Sequence, residues 1–202
     1  MVILYEDFIL KYKPLKKNTL MFSSFSKIAS SQMRRKDRQI ISKDELFSLA
    51  KSCKFASVGL IDKNDENIIR PYVVPLSFGI KWEQKSELPS FYFHSAKNGR
   101  KIQLLKKNSH ACITLVKSAN IKPVDNKVPN SDVCTASMYY ESIIADGQFQ
   151  IIQNEKEKKE ALSIILDHYG QPTSPMNSDL LSQTCVFKLT AENISGKKNV
   201  QH

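Results

Sequence analysis

Between Phe91 and Asn108 the chain reads FYFHSAKNGRKIQLLKKN. A strand pattern ends at His94-Ser95, an Asn98-Gly99 turn follows, and Arg100 and Lys101 fall in the first turn of a helix. Cations are unwelcome there, because a helix N-terminus already carries partial positive charge. An anion reverses the argument: free backbone N–H groups, Ser95, Arg100 and Lys101 together make a phosphate site. The segment alone reads equally as a solvated basic first turn. His94 titrates near neutrality, which suits proton delivery to a reduced substrate, although a histidine ending a strand is more often a hydrogen-bonded structural residue. His110 and His168 read as structural, and His202 as a tail residue.

Other chemistries are disfavoured by spacing. Cys53, Cys112, Cys134 and Cys185 form no C-x-x-C pair, which argues against a zinc site or a dense disulfide framework and suits a reducing compartment. No metal ligands are expected. The sequence has no G-x-G-x-x-G, no P-loop and no H-E-x-x-H, so it carries no recognisable dinucleotide domain or zincin site. A nicotinamide reductant or an electron-carrier protein would have to visit transiently.

The elements that must position these residues begin at Ser42, where S-x-x-E with Glu45 forms a capping box and Leu46, Leu49, Ala50 and Cys53 follow at helical spacing. Apolar runs predict strands over Phe55 to Ile61, Tyr72 to Phe78, Phe91 to His94 and His110 to Val116, with a turn over Asp62 to Asn67. The spacing predicts a helix from Gly99 to Lys107 with Ile102 and Leu105 inward, then a polar loop over 118–136. Strands resume from Met138 to Ile152. Asn154 and Glu157 cap a further helix with Ala161, Leu162, Ile165, Leu166 and Tyr169 inward, and a last strand covers Thr184 to Thr190. Many strands with few alternating helices predict a mainly β fold, an antiparallel barrel with peripheral α-helices.

The formal net charge is +10, of which +6 lies in residues 1–38 and +4 in the remainder. A basic arm on a near-balanced domain is not a basic binding face, so nucleic acid is not an expected partner. No run of about 18 apolar residues occurs, so no membrane-spanning helix is expected. Residues 1–32 lack periodicity. They read as an N-terminal arm, a targeting segment, or sequence upstream of a start at Met33, ahead of a domain over 33–202. A cytoplasmic location is expected, or an organelle matrix if the segment targets.

Five ordered motifs, MRRKDR (33–38), RPYVVPLSFG (70–79), FYFHSAKNGRKIQLLKKN (91–108), YYESIIADG (139–147) and SGKKN (195–199), resemble the pyridoxamine 5′-phosphate oxidase-like split barrels. The resemblance is nearest to their nitroimidazole-resistance branch. It implies an antiparallel split β-barrel homodimer that holds FMN at the subunit interface. Arg70, Tyr72, Val73, Val74, Pro75 and Leu76 would then line the flavin, Arg100 and Lys101 would bind its phosphate, and His94 and Ser95 would end the strand beside it. Ser142 falls where the family uses a polar flavin contact, and His94 would stand nearest the reaction centre. Pro75 replaces the flavin-contacting lysine of the related oxidases, and their C-terminal Arg-x-His type motif is missing, so oxidation of a B6 vitamer is not implied. The implied activity is FMN-dependent reduction of a small aromatic, nitro or quinone-like compound. The alternative is a flavin- or ligand-binding module without turnover, a sensor or storage protein.

Overall fold

The capping box at Ser42 forms as its residue types require. In the computed structural model, which describes residues 33–122, 137–173 and 176–200, Ser42 Oγ accepts the Glu45 N–H and starts helix α1, Lys43–Ser52. The expected arm over 1–32, most of the expected loop over 118–136, Cys134 and His202 lie outside the described residues.

Eight antiparallel strands follow one another in space as β3-β2-β6-β7-β8-β5-β4, with β1 on β8. They are β1 (Gln39–Ile40), β2 (Ala56–Lys63), β3 (Ile69–Leu76), β4 (Phe78–Lys81), β5 (Ser90–Ala96), β6 (His110–Lys122), β7 (Ser137–Ile152) and β8 (Thr184–Asn199). Helix α2 spans Arg100–Lys107, α3 Glu155–His168 and α4 Ser178–Gln183. This is the antiparallel split barrel with peripheral helices that the strand pattern and the resemblance implied.

Three expectations need correction. The apolar run Tyr72 to Phe78 is two strands, β3 and β4, which separate at Ser77 and occupy opposite edges of the sheet. The corner is held from outside, because the Phe78 N–H donates to Tyr169 Oη at 3.1 Å while that hydroxyl donates to Lys54 O at 2.7 Å. Residues 118–122 are strand rather than loop, since β6 continues past a bulge at Val116/Ser118 to pair with the start of β7. The final strand runs to Asn199, not Thr190, because β8 keeps pairing with β7 past a register shift at Asp146/Gly147.

Alternation along the strands fills the interior. Phe93, Phe149 and Phe187 meet at centroid distances of 5.3 to 5.6 Å, and Phe78 and Phe91 adjoin them. Rings at these separations add edge and offset-stacking attraction to the area they bury. Helix α2 seals one end with Ile102, Leu104 and Leu105. Helix α3, capped by Asn154 Oδ1 accepting the Glu157 N–H at 3.1 Å, lies over the outer face of β4 and β5. Its backbone approaches so closely that a Cβ on Gly79 would stand 2.7 Å from Ile164 O. The inward stripe of α3 is Ala161, Ile165 and His168, with Leu162, Leu166 and Tyr169 only partly buried. Among the described residues no helix is long and apolar enough to cross a membrane.

Candidate functional site

Gly99 stands at φ +126°, in the region that favours glycine, and turns the chain from β5 into α2. The first turn of α2 has no side-chain cap and no acid. Its leading N–H groups therefore lack a side-chain acceptor while Arg100 and Lys101 add charge, an arrangement that fits an anion. The two cations diverge. The Arg100 guanidinium donates to Asp62 Oδ2 at 2.7 Å and lies 4.6 Å from the centre of the Tyr72 ring. Burial pushes the Cys185 thiol pKa up, and Lys101 is among the cations that act against that rise.

Asp62 is the residue that sequence reasoning missed. It pairs across the β2–β3 ladder with Arg70, and Leu60 pairs with Tyr72. Asp62, Arg70, Tyr72 and Arg100 thus gather where the β2–β3 hairpin meets α2. The only sequence signal was an acid two residues beyond buried Leu60 on the same face, which is indistinguishable from a turn residue.

Among the described residues strand β3 is an edge with β2 as its one neighbour. Pro71 and Pro75 share one parity and have no N–H to donate, so that parity belongs on the side away from β2. The Val73 N–H and the carbonyls of 71, 73 and 75 are then left at the open edge for another partner. Side chains alternate as well: Tyr72, Val74 and Leu76 are half-buried with the core, whereas Val73 and Pro75 are exposed on the opposite face.

The remaining expected residues do not converge in one chain. Ser142 lies on β7, paired with Val116 of β6 and Lys197 of β8, and shares the outer face of Ile144. Two strands, β2 and β6, separate it from β3. His94 and Ser95 fall on opposite faces of β5. Ser95 takes the parity of buried Phe91 and Phe93 and faces Cys185, while His94 is exposed opposite Val186. Ser95 Oγ donates to Ala96 O at 2.9 Å. The surrounding chain shields the His94 ring enough to lower its pKa. A lowered pKa favours the neutral imidazole.

His168 behaves as a structural residue. Its ring is buried, Nε2 lies 2.8 Å from Cys53 O, and it packs 4.3 Å from Phe78, with burial holding its pKa down. His110 is exposed at the start of β6. Among the described residues no cluster of His, Cys, Asp or Glu could hold a metal, and Cys53, Cys112 and Cys185 are free thiols.

The family model described as pyridoxamine 5′-phosphate oxidase matches residues 42–198. The chain belongs to this family. Among solved structures of similar fold is a candidate 5-nitroimidazole antibiotic resistance protein of Bacteroides thetaiotaomicron, 28% identical, with 79% of this chain and 85% of that one covered and a TM-score of 0.62. A flavocytochrome of Azotobacter vinelandii is 17% identical over 84% of this chain and 72% of its own, with a TM-score of 0.63. An FAD- and heme-binding protein of Mycobacterium smegmatis is 18% identical over 81% and 74%, with a TM-score of 0.64. No curated protein matches the sequence. The pyridoxamine 5′-phosphate oxidase fold of this chain is therefore one on which flavoproteins are built, and the uncapped basic start of α2 beside an open strand edge is its most distinctive local feature.

Proposed function

We propose that the protein is an FMN-dependent reductase, acting as a homodimer on a small aromatic, nitro or quinone-like compound. The observation that carries this reading is the start of α2, where N–H groups without a side-chain cap and the Arg100 guanidinium stand beside Tyr72 of β3, with Lys101 next in the same turn. The phosphate would rest on Arg100, Lys101 and the first-turn N–H groups, displacing or sharing Asp62. The free edge of β3 would present the Val73 N–H to the polar rim of the flavin ring. FMN, when bound, supplies hydride or electron transfer, and the protein supplies position and electrostatics.

The scatter of the remaining residues supports a second copy. Val73 (62% exposed), Ile144 (49%), Val116 (44%) and Ile61 (38%) lie on the outer face of β3, β2, β6 and β7. Exposed apolar side chains grouped this way mark an association surface. A twofold dimer brings the same patch to itself, and Ser142 of one copy would then reach the flavin edge held by β3 of the other. His94, neutral at physiological pH, would orient a substrate by hydrogen bonding rather than act as a strong acid. NAD(P)H or an electron-carrier protein would reduce the flavin in a transient encounter.

The test is the absorption spectrum of the purified protein, followed by anaerobic addition of NAD(P)H and then of a nitroaromatic or quinone acceptor. A flavin spectrum that bleaches and returns with acceptor consumption is expected. A flavin that is bound but neither bleached by these donors nor reoxidised by these acceptors would refute the reductase reading and leave a binding module.

A further inference from the structure

A second gathering of cations lies on a different side of α2 from the Arg100–Asp62 pair. Lys97 in the β5–α2 turn, Lys106 in the last turn of α2 and Lys158 on α3 line a cavity of ≈ 290 Å³. Ile102 and Ile152 form an apolar part of its wall, and the Cys185 thiol belongs to the same lining. The volume falls at the small end of ligand-sized pockets.

The charge in this cavity is one-sided. Burial raises the pKa of the Cys185 thiol, and Lys158, Lys106, Lys97 and Lys101 all act against it. Among the described residues Lys97, Lys106 and Lys158 make no ion pair. The carboxylate that feels Lys158 is Glu155, which is already bonded to Lys159 at 2.7 Å. Cations of one sign around a concavity repel one another and concentrate anions from solvent. Asn98 and Gln153, also in the lining, bring amide N–H donors that suit an anion with several oxygens.

We infer that this cavity binds the phosphate group of a small molecule whose apolar part rests on Ile102 and Ile152. The lysines reach the phosphate oxygens from three different elements, so recognition depends on the packing of α2 and α3 against the ends of β7 and β8. The lining includes the Lys97-Asn98 turn and Ile102 but neither Arg100 nor Lys101, and the inference does not rest on the flavin reading. Its neighbour Ser95, which pairs with Cys185 across β5 and β8, links it to the strand that leads into α2.

The experiment titrates the purified protein with phenyl phosphate and with inorganic phosphate by calorimetry at low ionic strength. One saturable site per chain that persists in Arg100→Ala is expected, with phenyl phosphate the tighter ligand. Lys106→Ala with Lys158→Ala should weaken phenyl phosphate at least about tenfold, the usual scale for losing charge-assisted contacts. Arg100→Ala should leave it unchanged. No saturable binding at millimolar ligand overturns the site. Loss in Arg100→Ala but not in the double lysine variant assigns the anion to the start of α2 and overturns it equally. Equal affinity for the two ligands refutes the apolar subsite. Because none of these readouts needs bound flavin, a protein that fails the flavin test can still pass this one.

Discussion

Replacing Arg100 with alanine separates phosphate recognition from folding, because the structure makes the two costs differ in size. The guanidinium bonds Asp62 at 2.7 Å, but its side chain is 56% exposed, and ion pairs of that kind contribute about 0.2–1 kcal/mol. Its contact with the Tyr72 ring at 4.6 Å adds about 0.5–1 kcal/mol at an exposed site. Arg100→Ala should therefore lower stability by less than about 2 kcal/mol, and the protein should remain folded. Losing a charge-assisted bond to phosphate costs about 1.5–3 kcal/mol, or roughly ten- to a hundredfold in affinity. Titration of the apoprotein by flavin fluorescence quenching, at fixed ionic strength, reads the second quantity, and a thermal melt reads the first. FMN should weaken by that factor and riboflavin, which lacks the phosphate, far less. Equal weakening of both would mean that Arg100 supports the fold or the ring. Unchanged FMN affinity would remove the physical basis for placing a phosphate at α2.

Val73→Asp with Ile144→Asp should turn a species of about twice 23.0 kDa into one chain's mass in sedimentation, with flavin released at the same time; a variant that stays dimeric would refute the interface. Gly79→Ala should cost about 1–3 kcal/mol in denaturant unfolding, since the added methyl must push α3 off β4, and an unchanged midpoint would refute the close approach. Burial lowers the His168 pKa below its ordinary 6.5, so the unfolded chain binds more protons. The stability this ring contributes is complete above pH 6.5 and is lost as pH falls from there through the folded pKa. His168→Gln should flatten that part of the pH–stability curve, and an unchanged slope would refute the assignment. His94→Gln, which keeps an N–H donor, should retain most of the activity if hydrogen bonding is the role of His94, whereas near-complete loss of turnover would restore it as a proton donor.

What was legible in the sequence was local. The caps at Ser42 and Asn154 need only residues three apart, and both formed with the expected partners. The basic opening of α2 was readable for the same reason. Ser77 was not: Leu76 and Phe78 are both apolar, and nothing in a seven-residue run tells that its two halves serve opposite edges of one sheet. Strand β8 was cut short because Asn193, Ser195 and Lys197 look like loop residues, yet they are the outward positions of a ladder with β7. Asp62 escaped because its partner is 38 positions away. The site divided between faces escaped for a deeper reason. Assigning His94 and Ser95 as neighbours in sequence treats them as neighbours in space, and the pleat sends them to opposite sides.

Strand β8 has a consequence for how the chain can be made. It follows every other strand in sequence, yet it pairs with β1 at Gln39↔Lys197, with β5 along Thr184–Thr190 and with β7 along nearly its whole length. Until it arrives, β5 lacks its partner on that side and β1 has none, so the aromatic interior stays open to water. Contacts spanning most of the chain slow folding, because loop closure must precede the pairing that rewards it. During synthesis the ribosome would therefore carry a chain with the edges of β1 and β5 exposed, a state that calls for chaperone cover until β8 closes it.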